Sequence, residues 1–590
     1  MLHPRENEAR EIKDLCGLWN FRVDKNNEGY QKTWYDKPLT DTTVMPVPAS
    51  YNDIVMDASI RDHIGDVWYE RSFFVPAAWI GRRVVLRVGS ATHHATMWVN
   101  GIEVARHKGG YLPFEVDVSE VVAYGKENRV TIAVNNILDM TTLPPGEIKT
   151  YNDEKHPEGY KVQVYHHDFF NYSGIHRPVK LYTTPKTYIS DITVVTGING
   201  NSGTVAYDCV VTGEQRAVKV YLLNEQGELV AEGRGEKGEL TVSNPRLWEP
   251  GNSYLYTLKV ETISSGGEIE DSYSLAVGIR TIKVTDKEFL INGKPFYFKG
   301  LCKHEDMDIK GKGMDDVINI KDFNLLKWIG ANSFRTTHYP YSEEIMDLAD
   351  REGLVVIDES TAVGLNFWDK NTKVFSEEYI HDAALEHHLQ VMRELVQRDK
   401  NHPCVVMWSV ANEPASYEEG AVRYFKAVAE ETRKLDPTRP ITLVQSSHPD
   451  TCKVAQFFDV VCLNRYYSWY EDPGHLELVE HQIGWELTGW HRNFKQPVIM
   501  SEYGADTIAG FHQEPAVMFT EEYQCEILQR YHNVFDRLDF VIGEHVWNFA
   551  DFATKQGITR VVGNRKGVFT RQRQPKMSAH MLRKRWTEMK

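Results

Sequence analysis

Over its second half the chain repeats one unit eight times: a short apolar run, then, in most cases, a stretch with helical apolar spacing. The runs fall at 296–303, 331–338, 354–360, 404–413, 441–446, 460–466, 498–503 and 540–549. Amphipathic segments at 315–329, 342–352, 377–399 and 419–435 stand between them. Strands joined through helical crossovers run parallel, and a parallel strand covered on both faces reads as an unbroken apolar run. CVVMW (404–408) and PVIM (497–500) have that texture. Eight βα units over about 300 residues predict a TIM barrel, here placed at residues 283–590.

Upstream the texture is β throughout. In residues 1–185, β-branched and aromatic runs at 84–88 and 95–99 alternate with turn residues, and Asn100-Gly101 between MWV and IEV marks a hairpin. A type I′ turn needs positive φ at both central positions, which Asn-Gly supplies. Many short strands without a helix predict a jelly-roll sandwich. Residues 186–282 continue as strands: 218–223 and 229–232 flank a hairpin-like loop at 224–228, while 198–203 and 264–267 read as exposed loops. That length and pattern, without a Cys…Trp…Cys signature, predict an immunoglobulin-like sandwich. The expected fold class is thus multi-domain α and β, with jelly roll, immunoglobulin-like sandwich and C-terminal (β/α)8 barrel in that order. At about 150 residues per domain, 590 residues accommodate this plan.

Charge narrows the partners. The chain carries 67 Lys+Arg against 83 Asp+Glu, a formal net charge of −16. Long-range repulsion disfavours nucleic acid and anionic membrane surfaces, and no window approaches the ~18 apolar residues of a membrane span. The start, MLHPRENEAREIKDL, lacks the apolar h-region of a secretory signal. Seven scattered cysteines without a CxxC pair fit reduced thiols, and a cytoplasmic location is expected. Neither HExxH, EF-hand nor Walker patterns occur. The adjacent histidine pairs 93–94, 166–167 and 387–388 point apart on a strand or helix. No metal and no cofactor are expected.

In a barrel of this kind the chemistry comes from the C-terminal ends of the strands. Those ends are unusually polar here: His304-Glu305-Asp306, Arg335 with His338, Asp358-Glu359, Asn412-Glu413, Asn464 with Tyr466, Ser501-Glu502, and Glu544-His545 before Trp547. Unpaired carboxylates cannot sit inside the strand layer, so several are expected at the open mouth. A single such carboxylate is ordinarily a cap or ion-pair partner. Glu413 and Glu502 stand out because each closes an apolar run, in MWSVANEP and VIMSEYG. Two carboxyl groups about 5–5.5 Å apart serve a retaining glycosidase, and about 6.5–9.5 Å apart an inverting one.

DKNHPCVVMWSVANEP and NSFRTTHYPYSEEIMDLADREGLVVIDE resemble the two signature stretches of glycoside hydrolase family 2. HHDFFNYSGIHRPVKLYTTP, GKPFYFKGLCKHEDMDIKGKG, SEYGADTIAG, EHVWNFADFAT and GNRKGVFTRQRQPK resemble motifs of its β-glucuronidase branch. The resemblance implies a retaining exo-glycosidase that hydrolyses β-D-glucuronides, with Glu413 as acid/base and Glu502 as nucleophile. It implies that Tyr466 hydrogen-bonds the nucleophile and that Asn412 contacts the sugar 2-hydroxyl. It further implies sugar-contacting roles for Asp168, His304, His338, Asn464, Tyr470 and Trp547, with Asp168 reaching the mouth from the N-terminal domain. A homo-oligomer, commonly a tetramer, is implied as well.

A glucuronide carries a carboxylate, so an acidic protein must supply local positive charge. Residues 552–587 hold ten Lys and Arg and no Asp or Glu. Such a segment is either a solvated or subunit-facing basic tail or part of the site. Asn564-Arg565-Lys566 resembles the Asn-x-Lys motif that grips the uronate carboxylate, and Arg560 resembles a supporting basic residue. An ammonium and an amide donor beside a partly desolvated carboxylate make charge-assisted hydrogen bonds. Two alternatives stand beside this reading. A family 2 β-galactosidase or other neutral-sugar glycosidase leaves Asn564 and Lys566 without a task. A non-catalytic carbohydrate-binding protein leaves Glu413 and Glu502 without one. The loop 364–377, with Phe367 and Trp368, is shorter than its counterpart in some bacterial members and bears on whether the aglycone is small or a polysaccharide end.

Overall fold

Eight parallel strands close into a barrel in chain order: β1 (Phe298–Lys303), β2 (Ser333–Thr336), β3 (Val355–Glu359), β4 (Val405–Asn412), β5 (Ile441–Gln445), β6 (Val460–Asn464), β7 (Val498–Glu502) and β8 (Val541–Val546). The structure, a computed structural model, describes residues 1–369 and 371–589. Helices α1 (Asp316–Ile329), α2 (Glu343–Glu352), α3 (Asp382–Asp399) and α4 (Glu419–Leu435) follow the first four strands. A single 3₁₀ turn, Ala455–Phe457, stands between β5 and β6, and α5 (Val479–Phe494), α6 (Glu521–Phe535) and α7 (Met577–Glu588) complete the layer. Every residue of β2 to β8 is buried, which is why these strands read as continuous apolar runs. Helix ends follow local chemistry. Asp315 accepts from the Val317 and Ile318 N–H groups at the start of α1, and Gly330, at φ 83°, ends it in the left-handed conformation that a side chain would penalise.

The N-terminal region packs a four-stranded sheet against a six-stranded one. In the larger sheet His94–Val99 pairs with Ile102–Lys108, and the intervening Asn100 and Gly101 have φ 53° and 85°, as a type I′ turn requires. The second region packs three strands against four around Ile192, Val205, Val220, Leu258 and Val260. One expectation fails here. Residues 198–203 are no free loop, because Tyr188–Asn199 and Ser202–Thr212 form one long hairpin paired as far as Asn199 and Ser202. No helix among the described residues is long and apolar enough to cross a membrane.

The barrel core extends into both β regions, taking in Tyr111, Leu112, Leu143 and Phe169 from the first and Trp248 from the second. Arg177 ties the first region to the barrel, donating to Tyr111 O (2.5 Å), Pro340 O (2.6 Å) and Glu305 Oε2 (3.1 Å). Residues 166–170 lie along the loop after β8: Phe170 N–H donates to Ala553 O at 2.9 Å, and Phe169 bridges Thr554. That seam brings Asp168 to the barrel mouth.

Candidate active site

A cavity of about 490 Å³ opens over the C-terminal ends of the strands. Glu413, just past β4, and Glu502, ending β7, both line it, although 89 residues separate them in sequence. Glu413 has φ 49°, a left-handed conformation that carries a steric cost for a residue with a Cβ. Of the residues expected at the site, Asp168, His338, Asn412, Asn464, Tyr466, Tyr470, Trp547, Arg560 and Asn564 also line the wall. His304 and Lys566 do not. The His304 Nδ1 lies 3.0 Å from the Tyr339 hydroxyl, and its ring stands edge-on to Trp547 at 5.4 Å. Lys566 is buried behind the wall, its Nζ on Asp506 and 2.8 Å from the Tyr470 hydroxyl.

The two glutamates have different neighbours. Glu502 accepts on both oxygens, from Arg335 Nη2 on Oε1 and from Tyr466 OH on Oε2 at 2.7 Å. Glu413 accepts from Asn464 Nδ2 on Oε1 at 2.8 Å, and no protein donor meets its Oε2 among the described residues. Burial pushes the Glu502 carboxyl up to about 7, against the pull of Arg335 and His338 and with a push from Glu413. Burial also raises Glu413, opposed by the Asn464 amide and by Arg465 and Arg335 and aided by Glu359. Where two buried carboxyls share one cavity, a proton settles on the group with a free oxygen and fewer donors. Hydrogen bonding favours the proton on Glu413 and the charge on Glu502, opposing the burial that lifts Glu502 to about 7.

Around Asn564, Arg560 and Lys566 are already matched by carboxylates, while Lys555, also on the wall, donates to Tyr165 O at 2.8 Å. Arg560 Nε lies 2.8 Å from Asp168 Oδ1 and Asn564 Nδ2 2.9 Å from Asp168 Oδ2. Asp506 takes Lys566 Nζ and the Arg565 N–H (2.7 Å), with Arg560 Nη1 at 3.5 Å. Burial works to raise Asp168, but Arg560, Asn564 and Lys566 hold it below the usual carboxylate range. Expectation and structure differ here: the mouth is a mesh of two cations and two carboxylates rather than a bare basic pocket.

Sequence reasoning passed over several residues. Arg335 and Glu359 had been noticed at strand ends but given no role, although Arg335 contacts Glu502 and Glu359 contacts Arg335. Asp506 went unremarked in SEYGADTIAG. The pair His166 and His167, set aside as pointing apart, lines the cavity. Phe367 stacks on His166 at 4.1 Å and Trp368 joins the rim; Lys370 of that loop lies outside the described residues. Asp358 and Glu544, expected among the polar strand ends, turn outward from the mouth. Asp358 Oδ1 accepts from Thr336 Oγ1 (3.1 Å), and Glu544 accepts from Tyr297, Arg585 and Trp586. A possible metal cluster, Asp350, His402 and Cys404, lies away from the cavity. His402 Nδ1 is 2.6 Å from Asp350 and its pKa is raised to about 9, burial opposing and Asp350 prevailing. This is the signature of an ion pair.

Three family models match the chain: "Glycosyl hydrolases family 2, sugar binding domain" over residues 12–185, "Glycosyl hydrolases family 2" over 187–280, and "Glycosyl hydrolases family 2, TIM barrel domain" over 282–590. A β-glucuronidase of Paenibacillus borealis is 63% identical over 589 residues, covering 100% of this chain and 99% of the relative. The β-glucuronidase of Canis lupus familiaris is 52% identical over 611 residues, covering 100% and 92%. Among solved structures, a β-D-glucuronidase of Dictyoglomus thermophilum superposes with a TM-score of 0.96 at 55% identity, covering 100% of this chain and 99% of that one. The matched residues reach from the first β sheet to the last helix, and the chain belongs to glycoside hydrolase family 2.

Proposed function

We propose that this chain is a retaining β-glucuronidase. One observation carries the reading: Glu413 and Glu502, in contrasting hydrogen-bond environments, share a cavity with Arg560 and Asn564, with Lys566 behind its wall. Glu502, ionised, attacks the anomeric carbon and forms an ester to it, while Glu413 gives its proton to the departing glycosidic oxygen. Esterification removes the negative charge of Glu502. Glu413, now an isolated carboxylate, becomes more acidic and takes a proton from the water that attacks the same carbon, releasing glucuronate and restoring Glu502. Asn412 Oδ1 is 3.1 Å from Asn464 Nδ2 and 3.3 Å from Arg335 Nη1, so its own amide nitrogen is left for a sugar hydroxyl.

The uronate carboxylate is read by Lys566, Asn564 and Arg560 with Tyr470. Glu502→Ala abolishes turnover of an aryl β-glucuronide on this reading, and undiminished turnover overturns it. Lys566→Ala costs activity on the glucuronide far more than on the matching β-glucoside; equal losses remove the carboxylate clamp. A panel of nitrophenyl glycosides separates this enzyme from a β-galactosidase. The cysteines, all free, fit a reducing cytoplasm, and sedimentation of the purified chain tests the homo-oligomer.

A further inference from the structure

We propose that Glu359, which lies outside the cavity, is a positioning residue for the nucleophile: it fixes the Arg335 guanidinium and the His338 ring against Glu502 and competes with Glu502 for the arginine's charge. The proposal rests on the reading of Glu502 as nucleophile.

Glu359 ends β3 and is fully buried. Its Oε2 accepts from Arg335 Nη1 (2.5 Å) and Ser409 Oγ (2.7 Å), and its Oε1 accepts from His338 Nδ1 (2.8 Å). A carboxylate only accepts, so Nδ1 of His338 carries the hydrogen and Nε2 is presented to Glu502 Oε1, 3.8 Å away. Arg335, with no solvent exposure, turns Nη2 to that same oxygen. The guanidinium is thus a bridge between two buried carboxylates. Each oxygen pair takes a share of one positive charge, so Glu502 is stabilised less than a private arginine would stabilise it. A nucleophile must be ionised yet basic enough to attack, and a shared cation meets both demands.

The groups packed around this bridge come from five strands besides β3 and β7, which carry its two carboxylates. Arg335 and His338 come from the end of β2, Glu413 from β4, Tyr466 from the end of β6 and Trp547 from the end of β8. The Cys302 thiol of β1 is 3.4 Å from Arg335 Nη2, and Cys462 lies on β6. Burial raises both thiols, Cys462 to about 12, so neither competes for the cation. That leaves Glu359, on β3, as the fixed negative charge behind Arg335. It also contributes to raising Glu413.

The test is the pH dependence of kcat/KM on an aryl β-glucuronide. Glu359→Gln removes a negative charge from behind both carboxyls, so both limbs of the bell move to lower pH. The shift is on the order of one pH unit, as one charge several ångströms away produces at an effective dielectric near 20. Glu359→Asp keeps the charge and holds the limbs near their wild-type positions while slowing turnover. Ser409→Ala removes a donor from Glu359, leaves it drawing harder on Arg335, and moves the acid limb upward. These opposite signs are beyond a merely structural role, and Ser409→Ala keeps the question decidable if Glu359→Gln does not fold. Limbs that coincide with wild type in the variants that fold overturn this proposal alone. An inactive wild-type enzyme overturns the reading of Glu502, and this proposal with it.

Discussion

Glu413 and Glu502 are the same side chain put to different use by what donates to them. Tyr466 illustrates the leverage of one hydroxyl. Its hydrogen bond favours the ionised Glu502 and is among the influences that lower its pKa. Tyr466→Phe leaves the ring and removes that donor, so the Glu502 pKa rises. Because attack needs the carboxylate, the acid limb of kcat/KM moves to higher pH, and kcat falls roughly 10–100-fold, the effect of about 1.5–3 kcal/mol for a hydrogen bond to a charged group. An unmoved acid limb in a pH–rate series would show that Tyr466 does not tune the nucleophile. The glutamates themselves were legible in sequence because each closes an apolar run, where an idle carboxylate is costly. Arg335 was not: its partner Glu502 stands 167 positions away, and only barrel closure makes them neighbours.

At the level of elements, the eight strands were readable because burial on both faces leaves no alternation to misread. The loop between β8 and α7 was readable only in composition. Residues 552–587, which take in most of that loop and of α7, hold ten basic residues expected as a solvated or subunit-facing tail or as a grip on an anion; the structure pairs most of them with acidic residues. Arg571 pairs with Asp306, Arg573 with Asp322, Lys576 with Asp551, and Arg585 with Asp536 and Glu544. Lys576–Asp551 closes the loop on itself, and the other pairs tie the loop to the end of β1 and to α1, and α7 to β8 and the end of α6. Arg585 holds Glu544, wholly buried, through Nε to Oε1 and Nη2 to Oε2, both at 2.8 Å. Arg585→Met leaves Glu544 a buried charge without its arginine, held only by Tyr297 and Trp586, at a cost of about 3 kcal/mol. The expected result is a thermal midpoint several degrees lower by circular dichroism, with Lys584→Met, on the exposed face of the same helix, unchanged. Glu544 is held below its usual value, burial opposing and His532 and Arg585 prevailing. The wild-type contribution is therefore present above the unfolded-state carboxyl pKa and lost as pH falls through the lower folded value. The gap between variant and wild type should narrow in acid.

For the whole molecule, the question is why a barrel that holds both carboxyls of the proposed mechanism carries two β regions. The structure points to His166, His167 and Asp168, by which the N-terminal region enters the cavity, and to Asp168 as the carboxylate among them. The net charge of −16 bears on polyanionic partners but not on a small anionic substrate. What matters for an anionic sugar is the local balance of Arg560 and Lys566 against Asp168 and Asp506, and one of those four charges comes from outside the barrel. Asp168 holds Arg560 at 2.8 Å and Asn564 at 2.9 Å, so it sets where the two donors stand before substrate arrives. Asp168→Ala removes two contacts of about 1.5–3 kcal/mol each if both are charge-assisted. Part of that is regained as Arg560 turns to Asp506, already 3.5 Å away. The expected loss in kcat/KM on an aryl β-glucuronide is about 10²-fold or more. The thermal midpoint should stay within a few degrees of wild type, because the barrel core and the Arg177 clamp are untouched. Activity on the neutral β-glucoside should fall less, since the displaced donors are those that meet the carboxylate. Equal losses on both substrates would make Asp168 a contact for the sugar ring, and no loss on either would confine the N-terminal region to support.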